Sequence, residues 1–239
     1  MLLQVCINGA RSATEHPALS VDATLSAADA ARAVAAGANE IHVHPKDAAG
    51  HDSMAAADVE RWLRALRSAC PDVPIGVTTG AWIERDVERR LAAIEEWTEL
   101  PDVASVNWHE AGADAVAELL LSRGVGVEAG WDATGLEAWS RSPVRSRCAR
   151  VLIELPDEAV EVVRRHAEGL IAHVRLDEPS IPILLHGELR SAWPAFSLAV
   201  ELELDSRIGL EDTLSLPDGR TAPDNATLVR TASGIAFAG

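Results

Sequence analysis

Short β-branched runs alternate with amphipathic helical stretches from one end of the chain to the other, and this alternation constrains the fold more than any other feature. The runs are LLQVCING, EIHVHPKD, PIGVTTG, VASVNWHE, GVGVEAGWD, RVLIELP, IPILLHGE and SRIGLEDT. Between them lie stretches such as AAADVERWLRALRSAC, where Val59, Trp62, Leu63 and Leu66 recur at the spacing of one helix face. Ser26 and Asp157 stand where helix N-caps are expected. Eight strands and eight helices in 239 residues predict one α/β domain over residues 1–239, a closed (β/α)8 TIM barrel. An open doubly wound sheet would carry a glycine-rich first turn; INGARS has one glycine and fits neither the dinucleotide nor the P-loop pattern.

Composition narrows the function. A formal charge of −16 repels a phosphate backbone and excludes nucleic acid as a partner. No apolar stretch is long enough to span a bilayer, and MLLQVCINGARS lacks the form of a signal peptide, so a cytoplasmic protein away from membranes is expected. Cys6, Cys70 and Cys148 show no CxxC spacing and are expected to be reduced, buried thiols.

In a (β/α)8 barrel the reactive groups gather at the carboxyl ends of the strands. Here those ends are polar. The second carries His42, His44 and Lys46, the only lysine in the chain, at a spacing of two that puts all three on one face of an extended strand. The third ends in Thr78 and Thr79, and the fourth in Asn107, His109 and Glu110. The fifth offers Glu128 and Asp132, the seventh His186 and Glu188, and the eighth Arg207, Glu211 and Asp212. Two imidazoles on an inward-facing strand end, with a carboxylate from another strand, suit a divalent metal, zinc first among them, and three protein ligands leave an open, catalytic position.

These motifs in this order (NGA followed by HPALS, HVHPKD, VTTG, ASVN, GVGVEAG and RIGLEDT) resemble the β-keto acid cleavage enzymes, typified by 3-keto-5-aminohexanoate cleavage enzyme, through nearly the whole chain. The resemblance implies a zinc-dependent barrel that exchanges acyl groups between a β-keto acid and acetyl-CoA, releasing acetoacetate and a new acyl-CoA, and that assembles as a homo-oligomer. It places the metal on His42, His44 and Glu211. It assigns catalytic roles to Glu128, Arg207 and Asp212, and substrate contacts to Lys46, Thr78, Thr79 and Asn107. The chain departs from the pattern at Arg11, where an acid is expected, at Ala81 and Thr213, and in WHEAG after the fourth strand.

Plainer roles compete with several of these residues. His109 and His186 are expected to hydrogen-bond in the pocket wall, and His16, His51, His166 and His173 to lie on the surface. EEWTELPD and RSPVRSRCAR read as solvated segments. Trp82, Trp108 and Trp131 follow strand ends and are candidates for an apolar pocket wall, and AFSLAVELEL carries apolar residues that an oligomer contact would cover. The rival readings are a metal-dependent amidohydrolase, a Schiff-base aldolase using Lys46, and a non-catalytic metal-stabilised subunit. The first expects its HxH on strand one and histidines on strands five and six, which this chain lacks.

Overall fold

The structure, a computed structural model, describes residues 1–131 and 133–238. Eight parallel strands close into a barrel in sequence order: β1 Leu3–Cys6, β2 Glu40–Val43, β3 Ile75–Thr78, β4 Val103–Asn107, β5 Gly126–Trp131, β6 Arg150–Leu155, β7 Ile183–Gly187 and β8 Asp205–Ile208. Each is followed by a helix: α1 Ala23–Ala35, α2 Ala56–Ala69, α3 Val87–Glu95, α4 Ala113–Ser122, α5 Leu136–Arg141, α6 Val160–Asp177, α7 Ala192–Glu201 and α8 Asn225–Ala238. The sequence alternation is therefore a closed (β/α)8 barrel. Among the described residues, no helix is long and apolar enough to cross a membrane.

Val59, Trp62, Leu63 and Leu66 are the buried face of α2, as their spacing predicts. The N-caps differ from expectation. Asp22 caps α1 by accepting from the Thr24 and Leu25 amides, while Ser26 lies inside the helix. α6 starts at Val160 without a side-chain cap, and Asp157 accepts instead from Arg190. Of the apolar residues of AFSLAVELEL, Ala195, Phe196, Leu198 and Ala199 are buried in α7, which packs on β7 and β8, while Leu202 stays exposed.

Strand residues divide by parity. Val5, Ile41, Ile75, Val77, Ala104, Val127 and Val151 belong to the apolar core between sheet and helices. The alternate positions point into the barrel, and near its floor they are charged. Gln4 on β1 donates to Glu40 on β2 at 2.6 Å. Arg150 on β6 reaches across the interior to both oxygens of Glu40 and donates to Glu128 on β5 at 2.6 Å. Arg150 thus belongs to a buried ion-pair layer and not to a solvated basic segment. Burial would raise the Glu128 carboxyl, but Arg150, helped by His42 and Arg207, holds it below the ordinary carboxylate range.

Removing Arg150 would leave two buried carboxylates without their counter-charge. Arg150→Met is expected to cost about 3–5 kcal/mol, read as a drop in the urea midpoint. Adding Glu40→Gln and Glu128→Gln should restore much of the loss. Wild-type stability in Arg150→Met would show that the layer does not hold the barrel.

Candidate metal centre and active site

His42, His44 and Glu211 meet at the carboxyl end of the barrel, each offering a ligand atom within 4.8 Å of the others. His42 Nε2 lies 4.0 Å from Glu211 Oε2, and His44 Nε2 lies 3.6 Å from Glu211 Oε1. The two rings stand edge to face, with centroids 5.3 Å apart.

The NGA segment after β1 builds this meeting point. Asn8 accepts from the His44 amide and donates to the His44 carbonyl, extending the β1–β2 ladder through its side chain. Gly9 has φ +56, and a Cβ there would come within 2.5 Å of Glu211 Cγ, so glycine makes the cradle in which Glu211 lies. Arg11 donates to the Glu211 carbonyl at 3.2 Å.

Charge sets the state of each donor. Burial, reinforced by Arg207 and His44, lowers His42 to about 4, so its ring is neutral and a lone pair is free. Burial also opposes charge on His44, but Glu211 and Asp52 outweigh it and raise that ring to about 9. Glu211 is buried, which would favour its acid form, yet Arg207 and the two imidazoles hold it well below the usual range. Its Oε2 is buried without a hydrogen-bond partner. A neutral imidazole, a second imidazole opposite a carboxylate, and an orphaned carboxylate oxygen form a donor set that fits a divalent metal.

Asp52, a residue the sequence reading passed over, orients one donor. Its carboxylate accepts from His44 Nδ1 at 3.2 Å, Lys46 Nζ at 2.5 Å and Trp82 Nε1 at 2.8 Å, and Trp82 stacks on the His44 ring. With Nδ1 engaged, His44 presents Nε2 to the centre, the arrangement by which outer carboxylates fix metal-binding histidines. Lys46 spends its remaining reach on the Gly9 carbonyl at 2.6 Å and does not line the cavity above. That placement argues against a Schiff base at Lys46.

Behind the centre, Arg207 donates to Glu211 Oε1 at 3.0 Å and to Asp212 Oδ1 at 3.0 and 3.2 Å. Asp212 Oδ2 is buried and has no hydrogen-bond partner. His186, almost wholly buried, faces Asp212 at 3.3 Å and Glu154 at 4.0 Å, with neither nitrogen in hydrogen-bond alignment. Burial and Arg207 work against its charge, but the two carboxylates prevail and raise it to about 9.

A cavity of about 500 Å³ opens over these groups. Thr78, Asn107, His109 and Trp82 line it, and Arg207 and Glu211 form its floor. Thr79 faces away and donates to the Ser105 carbonyl, which separates the two threonines of VTTG. Asn107 donates to Glu110, itself paired with Arg90 at 2.9 Å. Glu128 lies in the charged layer and does not reach the cavity. Trp108 and Trp131 are core residues, and Asp132 lies outside the described residues. His16, expected on the surface, is buried and bonds the Ala222 carbonyl at 2.7 Å.

Residues 1–172 and 164–238 match the model of the β-keto acid cleavage enzyme family. The chain belongs to that family. Its barrel is similar to two solved structures of ObcA, each 18% identical to it. One is a binary complex with oxaloacetate (TM-score 0.65) and the other a ternary complex with a C4-CoA adduct and oxalate (TM-score 0.70). They cover 91% and 93% of this chain, which spans only 63% and 64% of theirs. Type I 3-dehydroquinate dehydratase from Clostridium difficile, at 13% identity and TM-score 0.67, covers 99% of this chain and is itself covered over 91%. At these identities the likeness is one of fold. No curated protein matches the sequence. The NGA, HVHPKD and GLEDT segments are the ones that meet around His42, His44 and Glu211.

Asp52→Ala should leave the circular dichroism spectrum unchanged and lower affinity for a divalent metal by about 10–100-fold, measured by competition with a chelating dye. Wild-type affinity would show that His44 is oriented without Asp52.

Proposed function

We propose that the chain is a zinc-dependent enzyme that condenses a β-keto acid with acetyl-CoA and cleaves the product by retro-Claisen chemistry to acetoacetate and a new acyl-CoA. The observation that carries this reading is the convergence of His42, His44 and Glu211 at the cavity floor, with Arg207 and Asp212 directly behind them. Zinc held by the three would serve as a Lewis acid toward the keto and carboxylate oxygens of a β-keto acid.

The remaining work falls to the chain's own side chains. Arg207 keeps Glu211 and Asp212 in register and presents a fixed positive charge at the cavity floor, where a substrate carboxylate would sit. Asp212, held through Oδ1, keeps a buried, unpartnered Oδ2 behind the cavity lining, and this oxygen would have to turn toward the substrate to take the carbon-bound proton whose removal starts a Claisen condensation. Thr78 and Asn107 line the cavity and would hydrogen-bond the substrate. Thr79 and Lys46, fixed to the Ser105 carbonyl and to Asp52, would act on substrate only through the groups they position. Glu128, to which the resemblance assigns a catalytic role, would act from below, its charge and its pairing with Arg150 steadying His42 and Arg207. Buried, unpaired Cys6, Cys70 and Cys148 suit a cytoplasmic setting.

Metal analysis of the purified protein should find about one zinc per chain, lost or sharply reduced in His42→Ala, His44→Ala and Glu211→Ala. Asp212→Asn should keep its zinc while losing roughly 10²-fold or more in turnover. The assay is a panel of β-keto acids with acetyl-CoA, read as acetoacetate and new acyl-CoA. Turnover of simple amides or lactones with no dependence on CoA would point to the hydrolase instead.

A further inference from the structure

Leu189, in the connection from β7 to α7, has φ +50, a backbone region that a branched L-residue seldom occupies. Three bonds pin it there. Its amide donates to the Asp212 carbonyl at 2.8 Å, the Glu188 amide donates to Leu155 at 2.9 Å, and the Ser191 amide closes on the Glu188 carbonyl at 2.8 Å. The result is a leucine side chain held half-exposed (47%) at the rim of the cavity.

The same side chain borders a second cavity, of about 730 Å³, between the start of α7 and the 213–219 loop. Val160, Trp193, Pro194, Leu214 and Leu216 make its walls, and Thr213, next to Asp212, belongs to its lining. Several of the polar groups around it are bonded to one another. Trp193 donates to the Ser215 carbonyl at 2.8 Å, the Ser215 amide to Thr213 Oγ1 at 3.2 Å, the Leu216 amide to the Arg220 carbonyl at 2.8 Å, and Arg190 to Asp157 at 2.8 Å. The walls are mainly aliphatic and aromatic, and a hydrocarbon chain asks for no partner there.

We infer that this groove takes the straight alkyl tail of a ligand whose carboxylate head lies in the cavity over Arg207. Resting on the function proposed above, this makes the substrate a β-keto acid with an aliphatic chain beyond its keto carbon, and Leu189 the sill over which that chain passes.

The test is calorimetric titration of the full chain with unreactive straight-chain monocarboxylates from hexanoate to dodecanoate. Affinity should rise about two- to fourfold per added methylene, the scale of burying one CH2. Leu216→Asp, with its fold checked by circular dichroism, should flatten the series. A flat series in the wild-type chain overturns the inference, and so does an equally steep series in a folded Leu216→Asp. A flat series with a dimer in light scattering would give the groove to a second copy. In parallel, 3-oxo acids of the same lengths are assayed with acetyl-CoA. A rise in kcat/KM with chain length supports the inference. A steep binding series with no cleavage of any 3-oxo acid keeps the alkyl groove and removes the proposed reaction.

Discussion

Arg150 and Arg207 are buried guanidiniums inside the barrel, and each must be met by carboxylates or be ruinously costly. Arg150 on β6 is met by Glu128 on the adjacent strand and by Glu40 on β2, across the barrel. Arg207 is met by Glu211 and Asp212, four and five residues further along its own chain. The lower pair ties opposite walls together; the upper pair turns the chain after β8 so that Glu211 faces β2. The candidate centre is a consequence of this charge matching. His42 stands one strand repeat above Glu40, on the same inward face, and meets Glu211 because Arg207 holds it there.

This arrangement also explains why NGA and HVHPKD read as one motif although 31 residues lie between Ala10 and His42. Asn8 and Gly9 are spent on His44 and Glu211, and Lys46 returns to the Gly9 carbonyl. The chain's only lysine joins the backbone of one strand end to the carboxylate that orients a histidine on another. A motif of this kind is a set of mutual supports, in which a substitution at one position exposes an unmet hydrogen bond or charge at the next.

The barrel was legible in the sequence because its cause is local: period two in the strands, three and four in the helices, eight times over. The HxH pair was legible for the same reason, since strand parity alone puts His42 and His44 on one face. Asp52 was hidden by lying six residues past Lys46 in a loop whose return no periodicity announces. Arg150 was hidden in a basic stretch, because its partner Glu40 is 110 residues away and the two meet only once β2 and β6 stand opposite each other. Glu128 stands a layer below the cavity, and nothing in GVGVEAG shows that an arginine on the next strand claims its carboxylate. The caps failed on a smaller scale, where Asp22 and Ser26 compete for one helix start and only backbone geometry chooses Asp22.

Two imidazoles and one carboxylate, and no thiolate, are the donors proposed for the metal. Cys6 lies on β1 beside His42, but burial, against the pull of Arg207, pushes its thiol far up and keeps it protonated. X-ray absorption at the zinc edge of the zinc-loaded protein tests this most directly. The expected result is a shell of nitrogen and oxygen alone at about 2.0–2.2 Å with the scattering pattern of two imidazole rings. A sulfur scatterer at about 2.3 Å, or a spectrum without imidazole, would contradict it.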